Sequence, residues 1–197
     1  MLIGITADVH CNAAALNQAL GELEGSVDLV LLAGDAVLQY RFSNEVIELV
    51  ADHGVEYIAG NHELALLGPD GERARSGPEV RPANLQVMAA APKRWERTVG
   101  GRRLLMVHAS PFPPYSDYLY PGSPELARCA DVDADILVLG HTHVPMAVRV
   151  GSTLVVNPGS LGQGGEPDHP GMVSYAVLDT DSEEVTIRRF ANPLLAA

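Results

Sequence analysis

Long apolar runs, basic charge and cysteine are all scarce in this 197-residue chain, and each shortage removes a class of protein. The longest apolar stretches, such as residues 29–33, fall far short of the roughly 20 residues that cross a bilayer as a helix. No basic segment precedes Leu2-Ile3-Gly4-Ile5, so no export signal is expected and the cytoplasm is the expected location. Only 13 Lys and Arg stand against 25 Asp and Glu, a net charge of −12. Such a surface repels nucleic-acid phosphates and anionic lipid, so neither nonspecific nucleic-acid binding nor a membrane partner is expected. The two cysteines, Cys11 and Cys129, lack CxxC spacing, which speaks against a disulfide framework and for free thiols. What remains is ordinary for a globular protein, 47% hydrophobic and 19% charged, at a length that fits a single domain over 1–197. A homo-oligomer stays open.

Along the first third, short apolar runs alternate with helical spacing. Residues 2–7 predict a buried strand, and Asn12 is placed to cap a helix whose inward positions are Ala15, Leu16, Ala19, Leu20 and Leu23. Residues 27–33 predict the second strand. Ser43 is placed to cap a second helix with Val46, Ile47, Leu49 and Val50 inward and Gly54 ending it, and residues 55–59 predict the third strand. This order implies parallel pairing with right-handed crossovers. Residues 68–82, rich in Gly, Pro and charge, predict a surface loop or flap, with a short helix over 84–90. Strands over 94–99 and 103–107 flank Gly100-Gly101, a hairpin signal. Residues 110–122 carry Pro111, Pro113, Pro114 and Pro121 and exclude regular structure. A helix over 124–130 and a strand over 136–139 follow, and then strands over 147–150, 153–156, 172–178 and 185–190. A parallel half followed by a largely antiparallel one predicts an α/β protein, an α/β/β/α sandwich of two mixed sheets flanked by helices.

The predicted strands stop on residues of one chemical kind. The first runs into Asp8-Val9-His10, the second into Gly34-Asp35, the third into Gly60-Asn61-His62; later ones reach His108 and Gly140-His141-Thr142-His143. Open α/β sheets bind ligands beyond the carboxyl ends of their strands, so the five segments are expected to converge. Imidazole and carboxylate are the usual ligands of Mn, Fe, Zn and similar divalent ions. One histidine at a strand end is more often a hydrogen-bonded structural residue than a ligand. Five of the chain's seven histidines at strand ends have no shared packing reason. His53, next to Gly54 at a helix end, is read as structural, and His169, between Asp168 and Pro170, as a solvated loop residue.

The ordered set Asp8-x-His10, Gly34-Asp35, Gly60-Asn61-His62-Glu63, His108 and Gly140-His141-x-His143 resembles the calcineurin-like metallophosphoesterase superfamily over essentially the whole chain. Asp8-Val9-His10-Cys11-Asn12, Asn44-Glu45-Val46-Ile47 and Val156-Asn157-Pro158-Gly159-Ser160 are most similar to its small bacterial and archaeal phosphodiesterase branch. The resemblance implies that Asp8, His10 and His143 hold one metal, Asn61, His108 and His141 a second, and Asp35 both. It makes His62 the catalytic, substrate-facing histidine, available to neutralise charge or protonate the leaving oxygen. It implies a small phosphate-ester substrate, attacked by a hydroxide bridging two divalent ions (Mn, Fe, Zn, Co or Ni, with Mn favoured). A nucleotide or dinucleotide phosphohydrolase and a phosphoprotein phosphatase are rivals on the same site. A non-catalytic scaffold is the rival from another class, but this sequence keeps every ligand position.

Three departures bear on specificity. Cys11 and Ala109 stand where the pattern usually has glycine; Cys11 is read as a small filler. Leu38 and Gln39 occupy the places of the Asp-Arg pair carried by protein serine/threonine phosphatases, so the arginine that grips a monoester dianion is missing. Arg41, two residues on, could supply a phosphate contact, but it is read first as a solvated loop arginine.

Overall fold

The structure, a computed structural model, describes residues 1–195; the last two residues of the expected domain, 196 and 197, lie outside the described residues. Two five-stranded sheets form its centre. The first contains β1 (Leu2–Thr6), β2 (Leu29–Leu32) and β3 (Glu56–Tyr57), paired in parallel as expected. The second contains β4 (Arg94–Val99), β5 (Arg102–Val107), β6 (Ile136–Val138), β7 (Met146–Val150) and β8 (Thr153–Asn157). The chain then returns: β9 (Met172–Asp179) pairs antiparallel with β1, and β10 (Val185–Ala191) with β9, giving the order β10-β9-β1-β2-β3.

The α/β/β/α sandwich is therefore as expected, but its halves do not divide the chain as the strand pattern suggested. β5, β6 and β8 are mutually parallel, with β4 and β7 antiparallel at the edges, so the second sheet is not largely antiparallel. Apolar strand content says where strands are, while pairing direction depends on crossovers that periodicity does not encode.

Strand alternation builds the layers. Ile3, Ile5 and Leu31 from the first sheet meet Leu104, Met106, Ile136 and Val138 from the second in a core between the sheets. The residues between them face outward: Leu105, Val107 and Leu137 pack under Leu126 and Cys129 of a 3₁₀ helix, Pro124–Asp131. On the other side α1 (Ala13–Leu23) and α2 (Asn44–Asp52) cover the first sheet. α1 buries the five predicted residues, and Asn12 caps it by accepting the Ala15 N–H at 3.2 Å. In α2, Ser43 accepts the Val46 N–H, with Val46, Ile47 and Val50 buried and Leu49 half-buried.

Two segments differ from expectation. α3 (Asn61–Leu67) begins at the very residues read as the end of the third strand. The expected loop over 68–82 contains a 3₁₀ turn, Pro69–Gly71, and α4 (Glu72–Arg75), before α5 (Pro82–Ala90). Residues 110–122 carry no helix or strand.

Candidate metal centre

The parallel strands of both sheets send their carboxyl ends to one place. The loop after β1 is tied to that after β2 by Asp8 N–H to Gly34 O (3.0 Å), His10 N–H to Asp35 O (3.0 Å) and Cys11 N–H to Ala36 O (2.9 Å). In the second sheet Gly140 N–H bonds His108 O at 2.8 Å. The two sheets meet where His141 N–H donates to Asp8 Oδ2 (2.9 Å) and His108 Nδ1 lies 2.7 Å from Ala33 O.

These loops are bent at unusual residues. Asp8, His10, Asp35, His141 and His143 all have φ between 50° and 69°, where a β-carbon crowds the backbone. Each such residue costs about 1–2 kcal/mol and persists only where surrounding bonds overdetermine it. In return, both side chains of Asp8-x-His10 and of His141-x-His143 turn to the same centre, which an ideal strand would not allow. Two glycines permit the close approach. A β-carbon on Gly60 would strike the Asp35 carboxylate, and one on Gly34 would come within 2.6 Å of His108 Nδ1.

All eight residues singled out in the sequence are brought together. Asp8, His10 and His143 form one group whose ligand atoms lie within 4.8 Å of one another; Asp35, His108 and His141 form a second, and His10, Asp35 and His62 a third. Asn61 Oδ1 lies 2.9 Å from His108 Nε2, which also faces Asp35 Oδ2 at 3.2 Å. His10 Nε2 and His143 Nε2 face each other at 3.0 Å, and Asp8 Oδ1 lies 3.5 Å from the latter.

This donor set fits a pair of cations. The Ala33 carbonyl can only accept, so His108 Nδ1 carries a hydrogen, while its Nε2 faces Asn61 Oδ1 and Asp35 Oδ2 together, a place that calls for shared positive charge, from a proton or from a cation. Buried Asp8 Oδ1 and His141 Nε2 have no hydrogen-bond partner. Burial lowers the pKa of His10, and burial with the nearby His108 brings that of His141 down to about 4, so both are neutral and able to donate lone pairs. For His108 burial acts in the same direction, but the adjacent Asp35 and Asp8 carboxylates outweigh it and push the pKa up to about 9, marking a place where positive charge is stabilised.

His62 stands apart from the other imidazoles. Its Nδ1 accepts the Gln39 backbone N–H at 3.0 Å, which puts the ring hydrogen of the neutral form on Nε2, 3.8 Å from Asp35 Oδ2. An Nε2–H is a donor and not a ligand atom. The His62 ring is thus oriented by the Gln39 main chain.

The sequence pattern left several supporting residues without a role. Glu63, wholly buried, accepts the N–H groups of Gly60 (2.7 Å), Asp35 (2.9 Å) and Val37 (3.0 Å) and so locks two ligand loops together. Burial, reinforced by the Asp35 charge, lifts its carboxyl pKa to about 7. Its position three residues after Gly60 is a capping-box signal. Asn157 donates to Gly140 O (2.7 Å) and Thr142 Oγ1 (3.1 Å), and Ser160 Oγ donates to Asp8 O (2.7 Å). Tyr118 stacks on His141 with ring centroids 4.0 Å apart. Cys11 is a filler: it is buried, its thiol donates to Arg41 O, and burial pushes its pKa up to about 11. Arg41 lines a separate hollow with Phe42 and Arg73, one that none of the eight residues lines. His53 sits at the end of α2 with Nδ1 3.1 Å from Leu49 O, and His169 is exposed near Glu166, as expected for residues outside the site.

Two mixed sheets whose strand ends gather aspartate, histidine and asparagine define the metallophosphoesterase class. The chain belongs to the calcineurin-like phosphoesterase superfamily, whose domain model matches residues 1–183. It is similar to a metallophosphoesterase from Sphaerobacter thermophilus, with a TM-score of 0.80 and 26% identity over 100% of this chain and 91% of that one. It is 25% identical to an uncharacterised protein of Methanocaldococcus jannaschii, over 95% of this chain and 86% of the relative. An archaeal phosphodiesterase shares the fold at a TM-score of 0.65 and 21% identity, over 96% of this chain and 100% of that one. No helix among the described residues is long and apolar enough to cross a membrane.

Proposed function

We propose that this chain is a phosphodiesterase, or a broad phosphoesterase, that works with two divalent metal ions. Asp8, His10 and His143 would hold one ion, Asn61, His108 and His141 the other, and Asp35 both. The observation that carries the reading is the convergence of the seven ligand-type side chains on one place, with His108 Nε2 2.9 and 3.2 Å from Asn61 Oδ1 and Asp35 Oδ2, and with buried Asp8 Oδ1 and His141 Nε2 left without a hydrogen-bond partner. When bound, the ions supply Lewis acidity toward phosphoryl oxygens and activation of water at neutral pH.

The chain's own residues do the rest. Glu63, Asn157 and Ser160 hold the ligand loops rigid through main-chain bonds, which preorganises the site. His62, oriented by Gln39, presents Nε2–H to the phosphoryl group as a hydrogen-bond donor. With Nδ1 engaged as the acceptor of the Gln39 N–H, the hydrogen-bond-donor role is preferred over that of general acid.

Metal analysis of Mn-reconstituted protein, combined with a hydrolysis screen over monoesters, diesters, cyclic nucleotides and nucleotides, tests this. Two ions per chain and turnover of diesters are expected; at most one ion at saturation rejects the two-metal assignment.

A further inference from the structure

Beside the Asn61–His108–His141 end of the centre lies a cleft of about 610 Å³, within the roughly 300–1,000 Å³ typical of small-ligand sites. Its walls are mainly apolar: Leu64, Val107, Pro111, Pro114 and Tyr115. A second, smaller hollow of about 240 Å³ holds Asp35, His62, Tyr118 and Tyr120. The two share only Asn61 and His141, so they are neighbouring hollows that meet at the second ligand group, and His62 lines the smaller one alone. Large apolar side chains are rarely left exposed in clusters without a partner. Of the ten exposed among the described residues, Leu64, Tyr115, Tyr118 and Tyr120 line these two hollows. Lys93, the single lysine of the chain, also lines the cleft. Its neighbour Arg94 is held by Glu96 at 2.7 Å, whereas Lys93 has no carboxylate partner among the described residues. In a chain of net charge −12, an unpaired cation beside a metal centre is placed to meet an anion.

We propose that this cleft is the subsite for an aromatic substituent of the phosphate ester, in the hollow that His62 does not line, and that Lys93 receives an anionic group on that substituent. The proposal rests on the diesterase reading above. Its continuity with the second ligand group, its apolar walls and its single free cation all favour a ring bearing negative charge over a short alkyl group.

The test uses three diesters that share the 4-nitrophenolate leaving group and differ in the other substituent: methyl, phenyl and 4-carboxyphenyl. With Mn-loaded full-length protein, phenyl is expected to exceed methyl in kcat/KM by about 10-fold or more, from burial of the ring. The carboxylate is expected to add a further increment of about 2–5-fold, the range of an exposed ion pair. Leu64→Gln and Tyr115→Ser, at exposed positions, should each shrink the phenyl preference while leaving the methyl diester within about 2-fold of wild type. Lys93→Met should remove the carboxylate increment alone. Equal kcat/KM for methyl and phenyl, or a phenyl preference untouched by both pocket variants, overturns the cleft assignment while leaving the diesterase intact. A carboxylate increment that survives Lys93→Met overturns the role of the lysine. No turnover of any of the three rejects the diesterase reading itself, and this proposal with it. A turnover-free reading comes from titrating metal-free protein with 4-carboxyphenylphosphonate by NMR. Shifts at Leu64, Val107 and Tyr115 are expected, and shifts confined to other regions count against the cleft.

Discussion

At position 39 the side chain and the main chain have separate consequences. The glutamine side chain is exposed, while its amide N–H fixes the His62 ring at 3.0 Å. The site therefore has a positioned donor but no guanidinium from this loop for a monoester dianion, because Arg41 lines another hollow. The wild-type protein is expected to prefer an aryl diester over the matching monoester in kcat/KM. Gln39→Arg, which keeps the amide, is expected to narrow that preference by up to about 1–3 kcal/mol, the worth of a charged hydrogen bond. A wild-type preference for the monoester would reject the specificity argument. His62→Ala should keep the metal content and lower turnover by about 10²–10³-fold, as for loss of one preorganised donor. The loss should be similar for nitrophenyl and alkyl leaving groups; a much smaller loss for nitrophenyl esters would restore His62 as general acid. All eight candidate residues were legible in the sequence because their side chains lie directly at predicted strand ends. Glu63 and Asn157 were not given roles, since both act through main-chain groups of loops distant in sequence, and nothing in residue type announces such bonds.

Elements with strong periodicity and a capping residue were legible nearly to the residue, and α1 shows why. Its five buried positions follow helical spacing, and Asn12 can satisfy the first-turn N–H of Ala15. The tertiary work of Asn12 was invisible: its amide also donates to Leu161 O (2.8 Å) and Asn192 Oδ1 (3.0 Å), stitching the helix start to the end of the chain. Asn12→Ala removes the cap and leaves two buried acceptors short of a donor. A loss of about 2–3 kcal/mol is expected, read as a fall in Tm of about 5–10 °C, with the exposed Asn17→Ala within about 0.5 kcal/mol of wild type as control. Equal effects of the two substitutions would reduce Asn12 to an ordinary surface residue. α3 went unread because its first turn, Asn61-His62-Glu63, also ends a glycine-bounded strand signal, and a seven-residue helix offers too little periodicity to compete. The second sheet's pairing directions were hidden for a related reason: β5, β6 and β8 have apolar content that suits either direction.

The whole molecule carries −12 charges and concentrates two buried carboxylates, Asp8 and Asp35, where both sheets end. Five candidate ligands, these two carboxylates among them, are held at positive φ, so the metal-free fold bears strain and unsatisfied polar atoms that bound cations would offset. Binding to the folded state alone stabilises by RT ln(1 + [L]/Kd), about 2.7 kcal/mol per site at 100 times Kd. Two occupied sites then give about 5 kcal/mol, or roughly 10–20 °C in Tm for a chain of this length. A rise in Tm of that size is expected between EDTA and saturating Mn. The net charge supplies a competing explanation, since any divalent cation screens self-repulsion among the carboxylates. Asp35→Asn separates the two effects: it changes the net charge by one while removing the carboxylate shared by both proposed sites. The Mn-dependent rise should fall to less than half in that variant, whereas Mg at matched ionic strength should raise wild type and variant alike by a few degrees. If Mn shifts Asp35→Asn as far as it shifts the wild type, the stabilisation is screening, and the shared role of Asp35 is wrong.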